Sequence, residues 1–428
     1  MRITFRRVAY IAIAVYLIVT CYTGFMLFKH KIWSDGPDKP KKGVKEEEWN
    51  PWGQDFGIDG KPKGMHSPDL AAEWKDVLKE NDTNPRAGDR VVEIWGKAAI
   101  SHYLWEHILN GALEEKMAGI WHYGAKRSGN IIFRFRTGPG VVPAKVPQDT
   151  RYLVLVLNGR EPSKVEYSQM WLDYLPRLPN LQRTVVMLLG NEKCNNSWIH
   201  KYLSRNGGHV WAVFLVYDSP EIDNKVFFQW PLGVATYRSF PLVKRSDVPW
   251  DRERDYLCNF LGTIYRNSSR ESLLQITQEN NYQEICLIEP RFHWLPKETE
   301  ISRENYIRAL AQSDFTLNPV GQNSECYRIY EAMAFGSIPI VEDVVTPGFC
   351  SRENKSPLRL LKKYRAPIIY VKSWKELLEL MDREQDRPVE DIYQRRKKML
   401  IWYDSFKDKM KDLFINVIKM KFFNEKIT

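Results

Sequence analysis

Two glycine loops followed by arginines are the parts of this chain best suited to chemistry. One lies in Ser313-Asp-Phe-Thr-Leu-Asn-Pro-Val-Gly321, continuing Gln-Asn-Ser-Glu-Cys-Tyr-Arg328-Ile-Tyr-Glu331-Ala332 and Gly336-Ser-Ile-Pro-Ile-Val-Glu-Asp343. This order predicts a strand ending at Pro319-Val320-Gly321, a helix opening near Ser324 as N-cap with Glu325 in its first turn, and a second strand at once. Strand, glycine loop and helix N-terminus together offer backbone N–H groups and a favourable dipole to an anionic phosphate. Arg328 and Glu331 share one helix face. Arg can grip a diphosphate through two N–H groups, and Glu can accept from ribose hydroxyls. The same two residues also read as a surface ion pair, and spacing alone does not choose. In the second loop, the strand Leu257–Gly262 is followed by Thr263, Arg266 and Arg270. Gly262 permits close backbone approach, and both arginines can meet a phosphate beyond the strand's carboxyl end, or simply sit on a solvated helix start.

These loops need a parallel sheet to hold them, and the chain has two runs of suitable elements. Apolar strands are expected at Val91–Trp95, Ile131–Phe135, Tyr152–Leu157, Thr184–Leu189 and Val210–Tyr217, with amphipathic segments at Ser101–Leu113 and Ser163–Leu175. The pattern pauses at the polar stretch Lys244–Asp255. It restarts with strands at Tyr256–Thr263, Ile285–Ile288, Phe315–Leu317, Ile338–Val341 and Ile368–Val371, and helices at Ser269–Glu279, Arg303–Gln312, Glu325–Phe335 and Trp374–Asp382. Continuous apolar strands alternating with helices predict an α/β fold with parallel sheets covered on both faces. The expected units are 91–245 and 250–388, followed by an amphipathic basic helix over 389–428, long enough to pack across both.

The chain has 428 residues and a formal net charge of +10. Residues 1–28 carry +3 and residues 394–428 carry +6, leaving +1 on the other 365. An excess confined to the two ends argues against nucleic acid as a partner. Residues 8–28 form an uncharged stretch long enough to cross a bilayer of about 30 Å. Arg2, Arg6 and Arg7 precede it, so the expected topology is a cytosolic tail over 1–7, a signal anchor over 8–28 and a stem over 29–90. The body would then be lumenal or extracellular. Sequons at Asn81, Asn195, Asn267 and Asn354 agree with that compartment. Outside the span lie five cysteines, Cys194, Cys258, Cys286, Cys326 and Cys350, so at least one stays free or pairs between chains. No P-loop, Gly-x-Ser-x-Gly or His-Glu-x-x-His signature is present, and no two aspartates stand at an Asp-x-Asp spacing.

Pro-x-Gly, then Arg-x-x-Glu-Ala, then Gly-x-Ile-Pro-Ile-Val-x-Asp resembles the C-terminal half of exostosin-like glycosyltransferases. That family implies a GT-B-like fold: two Rossmann-like domains facing a cleft, with a nucleotide-sugar donor on the C-terminal one. The strings Ile94-Trp-Gly-Lys-Ala-Ala-Ile100, Tyr103-Leu-Trp-Glu-His107, Leu157-Asn-Gly-Arg-Glu161, Phe228-Gln-Trp-Pro-Leu-Gly-Val-Ala-Thr-Tyr-Arg238 and Tyr256-Leu-Cys-Asn-Phe-Leu-Gly-Thr-Ile-Tyr265 extend the likeness across nearly the whole body. They resemble the Golgi xylosyltransferases that act on ribitol phosphate of the α-dystroglycan O-mannosyl glycan.

The resemblance implies UDP-xylose as donor, an inverted product, a type II Golgi location among other Golgi enzymes of the pathway as candidate partners, and no required cofactor or metal. It places Gly262, Arg266, Arg270, Gly321 and Arg328 at the departing diphosphate, Glu331 at the ribose, and Asp343 near sugar or nucleotide. A general base would come from the N-terminal unit. Glu161 and Asp218 are the candidates, each also readable as a loop carboxylate at a helix start; Glu106 and His107 fit a helix face better. Lys97, Arg160 and Arg238 are the candidates for an acceptor phosphate. Another exostosin-like donor sugar (glucuronate or N-acetylglucosamine), or an inactive Golgi scaffold, stays open on sequence alone.

Overall fold

The computed structural model describes residues 85–116, 119–293, 299–350 and 357–425, all within one compact unit. The expected cytosolic tail and anchor, nearly all of the expected stem, and the sequons Asn81 and Asn354 lie outside the described residues. Among the described residues, no helix is long and apolar enough to cross a membrane.

Thirteen strands form two sheets. The N-terminal sheet takes β1 (Arg90–Gly96), β2 (Glu114–Lys116), β3 (Trp121–Ser128), β4 (Ile131–Thr137), β5 (Tyr152–Asn158), β6 (Arg183–Leu189), β7 (Val210–Val216) and β8 (Phe227–Trp230) in the order β2-β3-β4-β1-β5-β6-β7-β8. It is parallel from β4 to β8, with β2 and β3 antiparallel at the edge. The strands β5 to β7 are buried on both faces, which is why they read as unbroken apolar runs. The sequence pattern did not announce β2, β3 and β8. Lys126-Arg127-Ser128 closes β3 on polar residues, and β8 has four residues.

The C-terminal sheet is wholly parallel: β9 (Tyr256–Thr263), β10 (Cys286–Arg291), β11 (Ser313–Asn318), β12 (Ile338–Glu342) and β13 (Ile369–Val371), in the order β10-β9-β11-β12-β13. The order reverses between β9 and β11, where an open α/β sheet leaves a crevice beyond its carboxyl edge.

The helices are α1 (Ile100–His102), which runs on into a π-helix (Tyr103–Ile108), α2 (Pro162–Tyr174), α3 (Ser269–Glu279), α4 (Glu300–Ala311), α5 (Tyr327–Ala334), α6 (Arg359–Lys363), α7 (Leu377–Gln385) and α8 (Val389–Phe423). With 35 residues, α8 is about 52 Å long and spans both sheets. Near its start, Arg396 pairs with Asp314 at 2.6 Å and donates to the carbonyls of Trp250 and Arg252. Phe406 packs on Tyr330 and Tyr364 of the C-terminal half. Phe414 then meets Phe133, Phe214 and Trp230, and Phe422 and Phe423 meet Tyr152, all in the N-terminal half. The spacing of three and four seen in the sequence is therefore the stripe that joins the halves.

Among the described residues two disulfides are formed, and Cys326 is free. Cys258–Cys286 joins partners in register on β9 and β10. Cys194–Cys350 ties the loop after β6 to the segment after β12, and so one half to the other.

Candidate functional site

At the carboxyl edge of the C-terminal sheet, four of the sequence-predicted residues converge. Arg270, in the first turn of α3, donates from Nη1 to the Thr263 carbonyl at 2.9 Å. Arg328, in the first turn of α5, donates from Nη2 to the Leu261 carbonyl at 2.8 Å and lies over the Phe260 ring. Two glycines lie against these guanidiniums. A Cβ at Gly262 would stand 2.8 Å from Arg328 Nη2, and one at Gly321 would stand 3.1 Å from Arg270 Nη2. The two half-buried guanidiniums thus bracket the reversal point of the sheet. Among the described residues neither has a carboxylate at ion-pair distance, and the Nε of each is buried without a hydrogen-bond partner. Burial lowers the Arg270 pKa, and the neighbouring Arg328 charge lowers it further. Paired cations with unused donors in a partly desolvated crevice favour a polyvalent anion. Arg266 is not part of this cluster; it stands exposed on the loop before α3.

The start of α5 differs from the expected one. Its N-cap is Cys326, with no side-chain cap bond, and the helix begins at Tyr327. Ser324 instead donates to the Val344 carbonyl at 2.7 Å. Glu325 turns inward rather than sitting in the first turn. It accepts from the Leu232 N–H at 2.8 Å and the Tyr330 hydroxyl at 2.5 Å, and burial pushes its pKa up to about 7. The capping reading failed because the Val344 carbonyl takes the Ser324 hydroxyl, while the Leu232 N–H and the Tyr330 hydroxyl of α5 itself take Glu325.

Glu331, expected to face a ribose, is also buried. Its two oxygens accept from the Ala235 N–H at 2.9 Å and the Tyr306 hydroxyl at 2.6 Å. Arg328 and Glu331 therefore bond to different partners instead of pairing with each other. Glu325 and Glu331 together pin the 232–235 segment, which leaves the N-terminal sheet, against the C-terminal half. Asp343 is buried between Lys362 and Lys372, each at 2.6 Å, and their hydrogen bonds hold its pKa below the usual value against the opposing effect of burial.

The facing edge of the N-terminal sheet is built differently. Lys97 follows β1, is buried, and donates to the Gly138 carbonyl at 3.2 Å; burial lowers its pKa to about 7. Arg160 follows β5, pairs with Glu192, and lies 3.3 Å from the Tyr217 hydroxyl. Glu161 is the N-cap residue of α2, giving its backbone carbonyl to Val165 without a side-chain cap bond. Asp218 follows β7, is buried, and pairs with Arg359 of α6 at 2.6 Å, across the two halves. Arg238 is half-buried beside Tyr237, whose ring meets Tyr327 edge-on. Glu106 and His107 lie on the π-helix, where Glu106 pairs with His102, and His107 packs on Tyr103 with its pKa lowered to about 4 by burial.

Sequence reasoning missed Glu192, Tyr217, Glu325 and Arg359. They come from loops far apart in the chain and carry no shared spacing. One local sign marks the place: Tyr217 has φ 72°, a left-handed backbone that costs an aromatic residue energy and turns the chain sharply at the end of β7. The sequons Asn195 and Asn267 are exposed. Among the described residues, no three His, Cys, Asp or Glu side chains converge as a metal site.

Comparison with known proteins adds the following. The RXYLT1 N-terminal domain family matches residues 92–231 and the RXYLT1 C-terminal domain family residues 237–423. Proteins named ribitol-5-phosphate xylosyltransferase 1 from Danio rerio and Homo sapiens are 48% and 42% identical, each alignment covering 99% of both chains. The Mus musculus protein of that name is 40% identical over the full length of both. A solved UDP-forming α,α-trehalose-phosphate synthase from Burkholderia vietnamiensis aligns over 77% of this chain and 98% of its own, at 8% identity and a TM-score of 0.37, too distant to carry an argument. Full-length identity at this level, with both halves matched, settles the family: the chain belongs to the ribitol-5-phosphate xylosyltransferases.

Proposed function

We propose that this protein is a glycosyltransferase that moves xylose from UDP-xylose to ribitol 5-phosphate, with inversion, on the O-mannosyl glycan of α-dystroglycan. We place it in the Golgi, as a single-pass type II protein with a lumenal body. The observation that carries the chemistry is the Arg270–Arg328 pair, two cations with no carboxylate at ion-pair distance among the described residues, at the reversal point of a parallel sheet. The relatives' names support xylose as the transferred sugar and ribitol 5-phosphate as the acceptor, and UDP as the carrier is part of the proposal. In this reading the two sheets act as the facing domains of a GT-B enzyme.

A ribitol hydroxyl oxygen attacks the anomeric carbon while the bond from that carbon to the UDP β-phosphate oxygen breaks. Negative charge grows on the departing diphosphate, and Arg270, Arg328 and the Gly262 and Gly321 backbones stabilise it. The oxocarbenium-like sugar must stay in line between nucleophile and leaving group. The hydroxyl proton goes to Asp218. Two facts favour Asp218 over Glu161: its partner Arg359 comes from the donor-bearing half, and its charge acts on Glu325, which immediately precedes Cys326 at the start of α5. Lys97, Arg160 and Arg238 are the proposed contacts for the acceptor phosphate. Protein cations take the place that a metal holds in other sugar transferases.

The test is a screen of UDP-sugars for UDP release that depends on a ribitol-phosphate-capped acceptor. Release with UDP-xylose alone supports the assignment, release with another sugar replaces the donor, and no release with any sugar leaves a scaffold. EDTA is expected to reduce the rate little; a complete loss reversed by Mn²⁺ would overturn the metal-free mechanism.

A further inference from the structure

The seam between the halves is denser around Asp218 than the proposed chemistry requires. The Arg359 guanidinium reaches Asp218 Oδ1 at 2.6 Å. Cys194 Sγ lies 3.3 Å from the Asp218 carbonyl oxygen, and Cys194 is bonded to Cys350 of the other half. On the same loop, the Glu192 carbonyl accepts from Asn323 Nδ2 at 2.9 Å, the Phe349 N–H donates to the Lys193 carbonyl at 2.8 Å, and the Asn191 side chain donates to the Arg160 carbonyl at 2.7 Å. The left-handed Tyr217 turns the chain so that Asp218 faces α6. The loops after β5, β6 and β7 are thereby fixed against residues 323, 350 and 359 of the donor-bearing half.

We propose that Arg359 is a positioning residue for the transfer reaction: from the C-terminal half it holds the Asp218 carboxylate ionised and aimed, with the Cys194–Cys350 bridge fixing the distance between them. This rests on the reading of Asp218 as base. Among the described residues, the charged and titratable groups around Asp218 include Arg359 on α6, Glu325 before α5, and the Arg160–Glu192 pair with the Tyr217 hydroxyl on the neighbouring loops. Arg359 is a cation in direct contact with it. Its removal raises the energy of the ionised carboxylate, so the acid limb of the kcat profile moves to higher pH.

The experiment measures kcat against pH in the secreted protein with UDP-xylose and a ribitol-phosphate acceptor. Arg359→Gln is expected to shift the acid limb upward by about one pH unit or more, with the donor KM near wild type. Arg359→Met keeps the aliphatic stem and serves the same purpose where the Gln variant is not secreted. Arg359→Lys should bring the limb back toward wild type. An acid limb that stays in place while the plateau rate falls would make Arg359 a structural brace and overturn the proposal. Asp218→Asn separates the two layers. A variant retaining most of the wild-type kcat removes Asp218 as base, whereas near-complete loss beside an unmoved Arg359→Gln limb refutes only the role given to Arg359.

Discussion

The carboxyl edges of the two sheets hold similar numbers of cations under opposite conditions. In the C-terminal half, Arg270 and Arg328 stand together with no carboxylate at ion-pair distance among the described residues, and the Nε of each has no partner. At the edge of the N-terminal sheet, Arg160 is matched by Glu192, Asp218 by Arg359 of the other half, and Lys97 donates a hydrogen bond to a carbonyl. A site with surplus charge suits a diphosphate that leaves with added negative charge. A balanced site suits a polyol hydroxyl and a base, because an excess of positive charge there would depress the base. In the proposed mechanism this difference puts leaving-group work at one edge and acceptor work at the other.

The largest expected effect breaks the surplus. Arg328→Ala should lower kcat/KM by about 10²–10³-fold or more and leave secretion of a 29–428 fragment intact; normal turnover would remove the donor site from this edge. Next comes the balanced edge. Asp218→Asn should cost about 10²–10⁴-fold in kcat, and Glu161→Gln less than tenfold. The reverse order would move the base to Glu161.

The two disulfides sharpen the contrast between joining halves and joining strands. Replacing Cys194 and Cys350 by Ser opens a sequence separation of 156, and replacing Cys258 and Cys286 one of 28. Chain entropy gives about 5 and about 3.5 kcal/mol respectively, read from denaturant midpoints, and only the first change should also raise the acceptor KM. Equal effects on acceptor KM would deny the seam a functional role.

The smallest effect concerns Glu325. Burial raises its native pKa from 4.5 to about 7, so the native state holds this proton more tightly than the unfolded chain does. The stability it supports is fully present below about pH 4.5 and is lost as pH rises toward 7, a change on the order of a few kcal/mol. Glu325→Gln should flatten the stability profile across that window, measured by denaturation at pH 5 and 7.5. An unchanged slope would show that another group carries it.

Much of the fold was legible because parallel strands buried on both faces declare themselves as apolar runs. The strands from β9 to β13 and the long helix were read within a few residues of their ends. Edge strands such as β3 and β8 lack that signature, since their composition is set by one covered face or by four residues. Gly262, Arg270, Gly321 and Arg328 could be grouped from the sequence because the first two lie at and after the end of β9 and the last two after β11, neighbouring strands of one sheet. Arg266 follows the same rule yet points to solvent. The seam was not legible: Asp218 could be named as a candidate, but its neighbours Glu192, Glu325 and Arg359 join it only when two sheets and a disulfide bring four separate loops together. Glu331 shows the same limit, since a carboxylate on the expected helix face was claimed by a backbone N–H and a tyrosine from other elements.

The path of α8 sets a timetable for synthesis. The last strand of the N-terminal sheet ends at Trp230, yet Phe133, Phe214 and Tyr152 are covered by Phe414, Phe422 and Phe423. At 5–20 residues per second, the ribosome needs roughly 10–40 s to make the residues between. During that interval a nearly complete sheet waits with an apolar face uncovered, open to chaperones or to aggregation. A premature stop that deletes only the final turns of α8 would leave that face bare permanently. Such truncations should be lost to quality control before any question of catalysis arises.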